Sequence, residues 1–205
     1  ETDLSEQLEH NILSTNLSFE RYSKNLKHKF SIYTSAQVVK RASYYGSGGR
    51  ILEQGDSLTA TDIRALNAYG NSDDLSTVFG FQYTYEINKM LLLTSGSEYQ
   101  YNNVKDEMPG YERLIEQQVG TLGTYSQLEW KIRFRWTVLL GGRFDYVHIR
   151  GDYILGQESL NDKKELPVFV PRLTSLYHLN ERWKLRGSFA QGYRAPQAFD
   201  EDLHI

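Results

Sequence analysis

Apolar and polar residues alternate almost strictly along residues 183–194. One set of alternate positions is largely apolar and contains Trp183, Leu185, Gly187, Phe189, Gln191 and Tyr193. The other set is charged, small or polar and contains Lys184, Arg186, Ser188, Ala190, Gly192 and Arg194. Because successive side chains of a β-strand point to opposite faces, this period of two predicts a strand with one apolar side. Lipid against one face and a polar lumen against the other would suit such a strand.

Seven further stretches show the same alternation, so the pattern predicts an all-β chain. The eight predicted strands cover residues 11–22, 29–45, 77–87, 90–101, 119–131, 134–149, 168–179 and 183–194. Pro171, inside the seventh strand, has no N–H to donate and predicts an irregular or locally unpaired position.

The connections between these strands differ in length at the two ends of the predicted sheet. Short ones follow the odd-numbered strands, at residues 23–28, 88–89, 132–133 and 180–181. Long polar ones follow the even-numbered strands, at residues 46–75, 102–118, 150–167 and from 195 onward. Short turns at one end and long loops at the other are typical of outer-membrane barrels. The prediction is an antiparallel meander of eight strands that forms part of a transmembrane β-barrel.

Composition is compatible with this fold and excludes several other classes. The mean hydropathy is -0.56, and the longest apolar run, near residues 90–93, is far too short for a transmembrane helix. A membrane barrel keeps a polar average, because only one face of each strand is apolar. The chain has no Cys and therefore no disulfide or thiolate metal site. A net charge of -3 without a basic cluster gives no sign of nucleic-acid binding.

Aromatic residues mark two levels along the predicted strands. Trp130, Trp136 and Trp183 fall beside the short turns, where amphipathic rings would lie at a headgroup boundary. A second set falls at the opposite strand ends and contains Tyr44, Tyr45, Tyr99, Tyr101, Tyr146 and Tyr193. The alternative is the general enrichment of aromatic residues in strands. Lys40, on the predicted lipid side, fits the membrane scheme, since it lies about 26 Å above the short turn, at the rim of the apolar band.

Candidate chemistry is sparse, and no catalytic motif is present, so we predict no enzyme and no cofactor. Asp200, Glu201, Asp202 and His204 could bind a cation, but an acidic solvated loop is the simpler interpretation. Residues 46–49, a Gly-rich stretch, open a long loop and do not precede a helix as a phosphate site requires. Several charged residues are predicted to face the lumen: Glu86, Glu129, Arg135, Arg143, Asp145, Arg172, Lys184 and Arg186.

The segment 173–205 resembles TonB-dependent outer-membrane receptors, and its Bacteroidetes branch in particular. The resemblance is carried by the run from Leu185 to Pro196, LRGSFAQGYRAP, and by the acidic stretch that ends Asp202-Leu203-His204. LLGGRFDY at residues 139–146 and Pro171-Arg172-Leu173 are similar to the family's two preceding strands. The matching part of the chain is residues 138–205.

The resemblance implies a barrel of about 22 strands closed by an N-terminal plug and energised by TonB. Residues 1–205 would then be a partial barrel domain without signal peptide, plug or last strands. This agrees with a chain that opens at Glu1, has no signal-peptide pattern and stops in the polar sequence FDEDLHI. The implied partners are outer-membrane lipid, the TonB complex and a scarce large solute: a ferric siderophore, haem or a corrinoid.

Tyr193, Arg194, Ala195 and Pro196 resemble the FRAP-type box of haem receptors, with Tyr in place of Phe. For these four we expect a structural, plug-facing role, while His204 as a haem ligand is a further hypothesis. Because loops on the outer side meet a solute first, their aromatic and basic residues are the expected contacts. These residues are Tyr69, Tyr111, Arg113, Tyr153 and His204.

Two other interpretations stay open on the sequence alone. A complete small eight-stranded barrel could serve as a membrane anchor or an adhesion protein. A soluble β-sandwich binding module would need the apolar faces of two sheets to pack together.

Overall fold

The computed structural model describes residues 4–47, 55, 57–133 and 135–193, and its strands form one antiparallel sheet in chain order. The strands are β1 (Leu4–Tyr22), β2 (His28–Ser47), β3 (Tyr69–Asn88), β4 (Leu91–Met108), β5 (Arg113–Ile132), β6 (Trp136–Leu155), β7 (Glu158–His178) and β8 (Lys184–Ala190). A helix, α1 (Ala60–Leu66), precedes β3, and one turn of 3-10 helix (Pro109–Tyr111) precedes β5. Among the described residues, no helix has the length and apolar character needed to cross a bilayer. The predicted eight-stranded meander is confirmed.

Three of the predicted long loops are wrong in extent, because the strands enter all three and continue through most of the second and third. β2 and β3 enter the loop predicted at 46–75, β4 and β5 the one at 102–118, and β6 and β7 the one at 150–167. The pairing continues to Met108–Arg113 and to Leu155–Glu158. Gly156 closes the second of these hairpins with a φ of +61°, a conformation that glycine adopts without strain. Backbone pairing needs no apolar face, so hydrophobic alternation did not reveal these extensions.

The four predicted short turns are confirmed, and asparagine side chains organise three of them. The turns cover residues 23–27, 89–90, 133–135 and 179–183. Asn25, Asn88 and Asn180 each accept backbone N–H bonds from residues two or three positions further on, at 2.8–3.1 Å. An Asn carbonyl in this position imitates a backbone turn and fixes the direction of the returning strand.

The eighth strand is shorter than predicted, because Pro171 interrupts its pairing with β7. The backbone N–H of Gln191 donates to the carbonyl of Pro171 at 3.3 Å. The return bond would need an N–H on residue 171, which proline lacks. The ladder therefore ends at the pair Arg172–Ala190. Residues 194–205, which include part of the predicted strand, lie outside the described residues.

The two faces of the sheet are buried to different degrees, and the apolar face is the more exposed one. Phe81, Phe144 and Phe189 are 39%, 47% and 59% exposed, whereas Asp145 on the opposite face is 2% exposed. Side chains on the polar face lie over one another, which indicates a sheet curled towards that face. A water-soluble sandwich would bury its phenylalanines and expose its charges.

A small apolar cluster interrupts the polar face. Val119, Val147 and Ile149 are buried on neighbouring positions of β5 and β6, with Leu166 of β7 packed against them. This cluster is the core of the described sheet, and it lies between the level of Asp145 and the long hairpins.

The sheet has two free edges among the described residues. β1 pairs only with β2, and β8 pairs only with β7. A closed eight-stranded barrel would require β1 to pair with β8, and a sandwich would require a second sheet. Both alternative architectures are therefore wrong for the described chain.

Candidate functional site

Glu98 lies at the centre of a hydrogen-bond network on the polar face. Its carboxylate accepts a 2.6 Å hydrogen bond from the Tyr33 hydroxyl and another of 2.6 Å from Gln100 Nε2. Arg143 Nη2 approaches the same carboxylate at 3.4 Å. Charge-assisted bonds of this kind stabilise an ionised carboxylate away from bulk water.

Two glycines provide the space for the aromatic members of this network. Tyr33 on β2 reaches Glu98 on β4 by crossing Gly80 of β3, where an added Cβ would lie 2.1 Å from the ring carbon Cζ. Tyr125 passes in the same way over Gly96, and its hydroxyl donates a 2.9 Å bond to Gln82 Oε1. At these two glycines the strand presents only its backbone to the ring that covers it, as in other sheets where aromatic residues pack over glycine.

Arg143 joins the carboxylate of Asp145 on its own strand, β6, to that of Glu98 on β4, across the intervening β5. Its Nε donates a 2.7 Å bond to Asp145 Oδ1, while Nη2 faces Glu98. Asp145 is almost completely buried. A buried carboxylate is costly unless it is paired, so Arg143 is the residue that permits both charges at this position.

Tyr193 extends the network from the end of β8. It lies beside Asp145, with which its side chain interacts, and near Arg143. The predicted alternation placed Tyr193 on the apolar face with Phe189, in the outer aromatic level. That placement is wrong, because β8 ends at Ala190 and the chain then brings Tyr193 to the polar face.

A second charged group lies on the same face, near the long hairpins. Asp106, eight positions beyond Glu98 on β4, is 5% exposed. Arg113 Nη2 lies 3.4 Å from one of its oxygens, and Arg41 Nη2 lies 3.9 Å from the other. Burial raises the pKa of Asp106 above its usual range, and the charges of Arg113 and Arg41 oppose that rise.

Polar side chains adjoin this second group. Gln117 Nε2 donates a 2.9 Å bond to the Tyr153 hydroxyl. Arg113 lies on the face of β5 that also carries Gln117, since the two are four positions apart. Arg113 Nε is buried without a hydrogen-bond partner among the described residues. In this group two guanidinium groups, those of Arg41 and Arg113, therefore approach one buried carboxylate.

The structure separates the residues that the sequence nominated as solute contacts. Arg113 and Tyr153 lie on the polar face, both on strands and not in loops. Tyr69, the first residue of β3, lies on the opposite face, and its ring packs against Tyr44 at 4.8 Å. Tyr111 lies in the 3-10 turn and is 47% exposed. Arg194, Ala195, Pro196 and His204 lie outside the described residues.

Sequence reasoning missed several residues of these groups, Arg41 and Gln100 among them. Tyr33, Glu98, Asp106 and Gln117 were not nominated, although each occupies a polar-face position of its strand. The alternation of side chains along each strand could have placed them on that face. Nothing in the sequence indicated which strands would bring their side chains into contact.

The described residues contain no cluster of three or more His, Cys, Asp or Glu side chains that could hold a metal ion. The acidic stretch 200–204 lies outside them.

Comparison with solved structures shows the same fold in, among others, two receptors and one transporter. The ferric yersiniabactin uptake receptor FyuA from Yersinia pestis is 17% identical, with a TM-score of 0.62 over 87% of this chain and 27% of its own. The ferric-catecholate import receptor Fiu from E. coli K12 in its closed form is 13% identical, with a TM-score of 0.67 over 89% of this chain and 33% of its own. The ferric citrate transporter FecA in its unliganded form is 18% identical, with a TM-score of 0.61 over 88% and 27%.

The chain thus spans about a third or less of the length of these solved proteins. No curated protein matches the sequence. The family model described as "TonB dependent receptor-like, beta-barrel" matches residues 2–203, almost the entire chain. With the curled eight-stranded meander, this match shows that the chain belongs to the TonB-dependent receptor-like β-barrel family.

Proposed function

We propose that this chain forms part of the barrel wall of a TonB-dependent receptor in a bacterial outer membrane. The receptor takes up a scarce large solute, and a ferric siderophore is the favoured class, ahead of haem and corrinoids. Three solved receptors with this fold are named for ferric complexes, which supports that choice.

The observation that carries the proposal is the unequal burial of the two faces. Phenylalanines project from the exposed face, while Glu98, Arg143 and Asp145 pair on the other face. Acyl chains are the solvent that suits the first face, and a water-filled lumen with a plug suits the second.

The aromatic residues support an orientation of this wall in the membrane. Trp130, Trp136 and Trp183 lie at the short-turn end, which faces the periplasm in the proposed receptor. Asp106 lies fifteen residues beyond Leu91, the first residue of β4, or about 50 Å along the strand. At a tilt of about 45° this is about 35 Å of height, above an apolar band about 25 Å tall.

Arg113 and Tyr153 are the proposed solute contacts of the described chain. They lie on the lumenal face at the height of Asp106, where a solute enters from outside. The guanidinium group of Arg113 at this height suits an anionic metal chelate. Tyr111 remains a candidate at this end, and Tyr69 on the lipid side is the least favoured. His204 remains a candidate from its sequence alone.

The motif residues Tyr193, Arg194, Ala195 and Pro196 serve the barrel and its plug in this proposal. Tyr193 beside Asp145 supports a lumenal position for the motif. The energy for uptake comes from TonB through the plug, and this segment contributes the wall against which the plug moves.

The test uses the complete receptor that contains this segment, purified in detergent. Fluorescence quenching measures binding of catecholate, hydroxamate and carboxylate ferric chelates, haem and cobalamin. Arg113→Gln should weaken binding of an anionic ferric chelate at least tenfold, since it removes one of two positive charges. Arg150→Gln, an exposed charge on the other face, is the matched control and should bind normally. Recovery of the receptor in the soluble fraction without detergent would overturn the membrane assignment, and unchanged affinity in Arg113→Gln would overturn the contact.

A further inference from the structure

The four short turns carry an excess of positive charge. We call residues 23–27, 89–90, 133–135 and 179–183 the short-turn rim. Its only acidic residue is Glu181, and it carries six cations: Lys24, Lys27, Lys89, Arg133, Arg135 and Arg182. The structure leaves all seven of these side chains exposed. At the other end of the sheet, the hairpin connections at 109–112 and 156–157 carry one acid, Glu112, and no cation.

Backbone hydrogen bonds join the turns of this rim to the strands beside them. Lys27 O accepts a 2.8 Å bond from Glu86 N, and Met90 O accepts one of 2.8 Å from Lys131 N. Arg135 O accepts a 2.7 Å bond from His178 N. The cations are therefore held along one fixed edge of the sheet and do not lie on independent loops.

Aromatic side chains place this edge at a membrane boundary. Arg135 precedes Trp136, whose Nε1 donates a 2.8 Å bond to Ser175 Oγ on the apolar face. Arg182 precedes Trp183, which is 69% exposed. Further along, His28 stacks on Tyr85 at 4.6 Å. Tryptophan and tyrosine prefer the headgroup level, so the neighbouring cations lie at the depth of lipid phosphates.

We propose that the short-turn rim binds the anionic phospholipid headgroups of the leaflet on its side of the membrane. Phosphate diesters complement the exposed Lys and Arg side chains, and each such cation near a membrane surface adds to the attraction. Binding to the headgroups thereby anchors the barrel against movement along the membrane normal while force is applied inside the lumen. This inference rests on the proposed function, because it requires the apolar face to lie in lipid.

The experiment compares two charge variants of the complete receptor in nanodiscs of phosphatidylcholine with a minor share of phosphatidylglycerol. The rim variant carries Lys24→Gln, Lys27→Gln, Lys89→Gln and Arg182→Gln. The control carries Lys105→Gln, Arg150→Gln, Lys163→Gln and Lys164→Gln, four exposed cations at the other end. Native mass spectrometry counts the phosphatidylglycerol molecules retained by each protein after the disc is removed.

The rim variant should retain at least about tenfold less phosphatidylglycerol than the unmodified receptor, and the control should match the unmodified receptor. Raising the salt to about 0.5 M should abolish the difference, because exposed charges are screened. Equal retention by both variants overturns the proposal. A second result would also overturn it: the rim variant retains phosphatidylglycerol normally but no longer sediments with peptidoglycan. The rim would then recognise a different polyanion. A receptor that does not enter nanodiscs at all contradicts the membrane assignment instead.

Discussion

Tyr33 and Glu98 form a 2.6 Å hydrogen bond although they belong to strands that do not pair with each other. β3 lies between them, and Gly80 is the residue over which the ring passes. The Tyr33 side chain therefore connects β2 to β4 across β3. The bond depends on Gly80, which has no side chain to obstruct the ring.

Gly80→Ala should destabilise the complete receptor, because the new methyl group would overlap the Tyr33 ring. The free energy of unfolding should fall by about 1–3 kcal/mol, as for other overpacked positions. Gly187→Ala is the control, since nothing lies within 4 Å of the added Cβ. Denaturant unfolding in detergent measures both, and the Tyr33→Ala background should reduce the loss from Gly80→Ala. An equal loss in that background would contradict the proposed overlap.

Arg143→Leu should be more damaging than the loss of an exposed ion pair. The substitution leaves the buried Asp145 carboxylate without its guanidinium partner, at a cost of about 2–4 kcal/mol. Lys105→Leu breaks the half-exposed pair with Glu116 and should change stability by less than about 1 kcal/mol. Thermal unfolding of the two variants, measured side by side, shows which one loses more stability. Similar losses in both would show that burial does not matter at Asp145.

Asp106 should make the receptor less stable as the pH rises through the acid range. Its pKa is higher in the folded protein than the usual 3.8, with burial as the main cause. Between these two pKa values the folded state binds more protons than the unfolded state, so stability is largest below about pH 3.8 and falls as pH rises. The stability of the unmodified receptor minus that of Asp106→Asn should therefore decrease with pH. An increase over the same window would contradict the direction of the pKa shift.

Asn88→Ala should loosen the short turn between β3 and β4. The side-chain oxygen of Asn88 accepts bonds from Met90 N at 2.8 Å and Leu91 N at 3.0 Å. Their loss should lower the free energy of unfolding by about 1 kcal/mol and speed hydrogen exchange at residues 90 and 91. Asn71→Ala on β3 is the matched control and should leave exchange at this turn unchanged. If both variants exchange alike, the turn does not depend on the asparagine.

Strand number, order and facing could be predicted because each depends on local pattern. Phe79, Phe81 and Tyr83 alternate with polar residues, and that period alone assigns their face. The extents of the strands could not be predicted in the same way. Around Met108 and Leu155 apolar and charged residues occur on both faces, so pairing continues there through backbone bonds without a clear alternation of side chains.

The candidate site was only partly predictable for a related reason. Arg143 and Asp145 were assigned to the lumenal face by parity, and their pairing with each other follows from a spacing of two. Their partner Glu98 lies 45 residues away, and only the register of β4, β5 and β6 brings it near. Tyr193 was assigned to the wrong face, because the end of β8 depends on Pro171 in the neighbouring strand.

The amino-acid sequence by itself determined that the chain is a meander with one apolar face and with short turns at one end. It also determined the family resemblance near Tyr193. These properties are encoded between near neighbours, where a period of two and a few turn residues suffice. Only the tertiary structure decided which charges meet, that Tyr33 crosses Gly80 to reach Glu98, and that Arg41 and Arg113 share Asp106. Those contacts depend on strand register over long separations, and register is settled by all the backbone bonds of the sheet together.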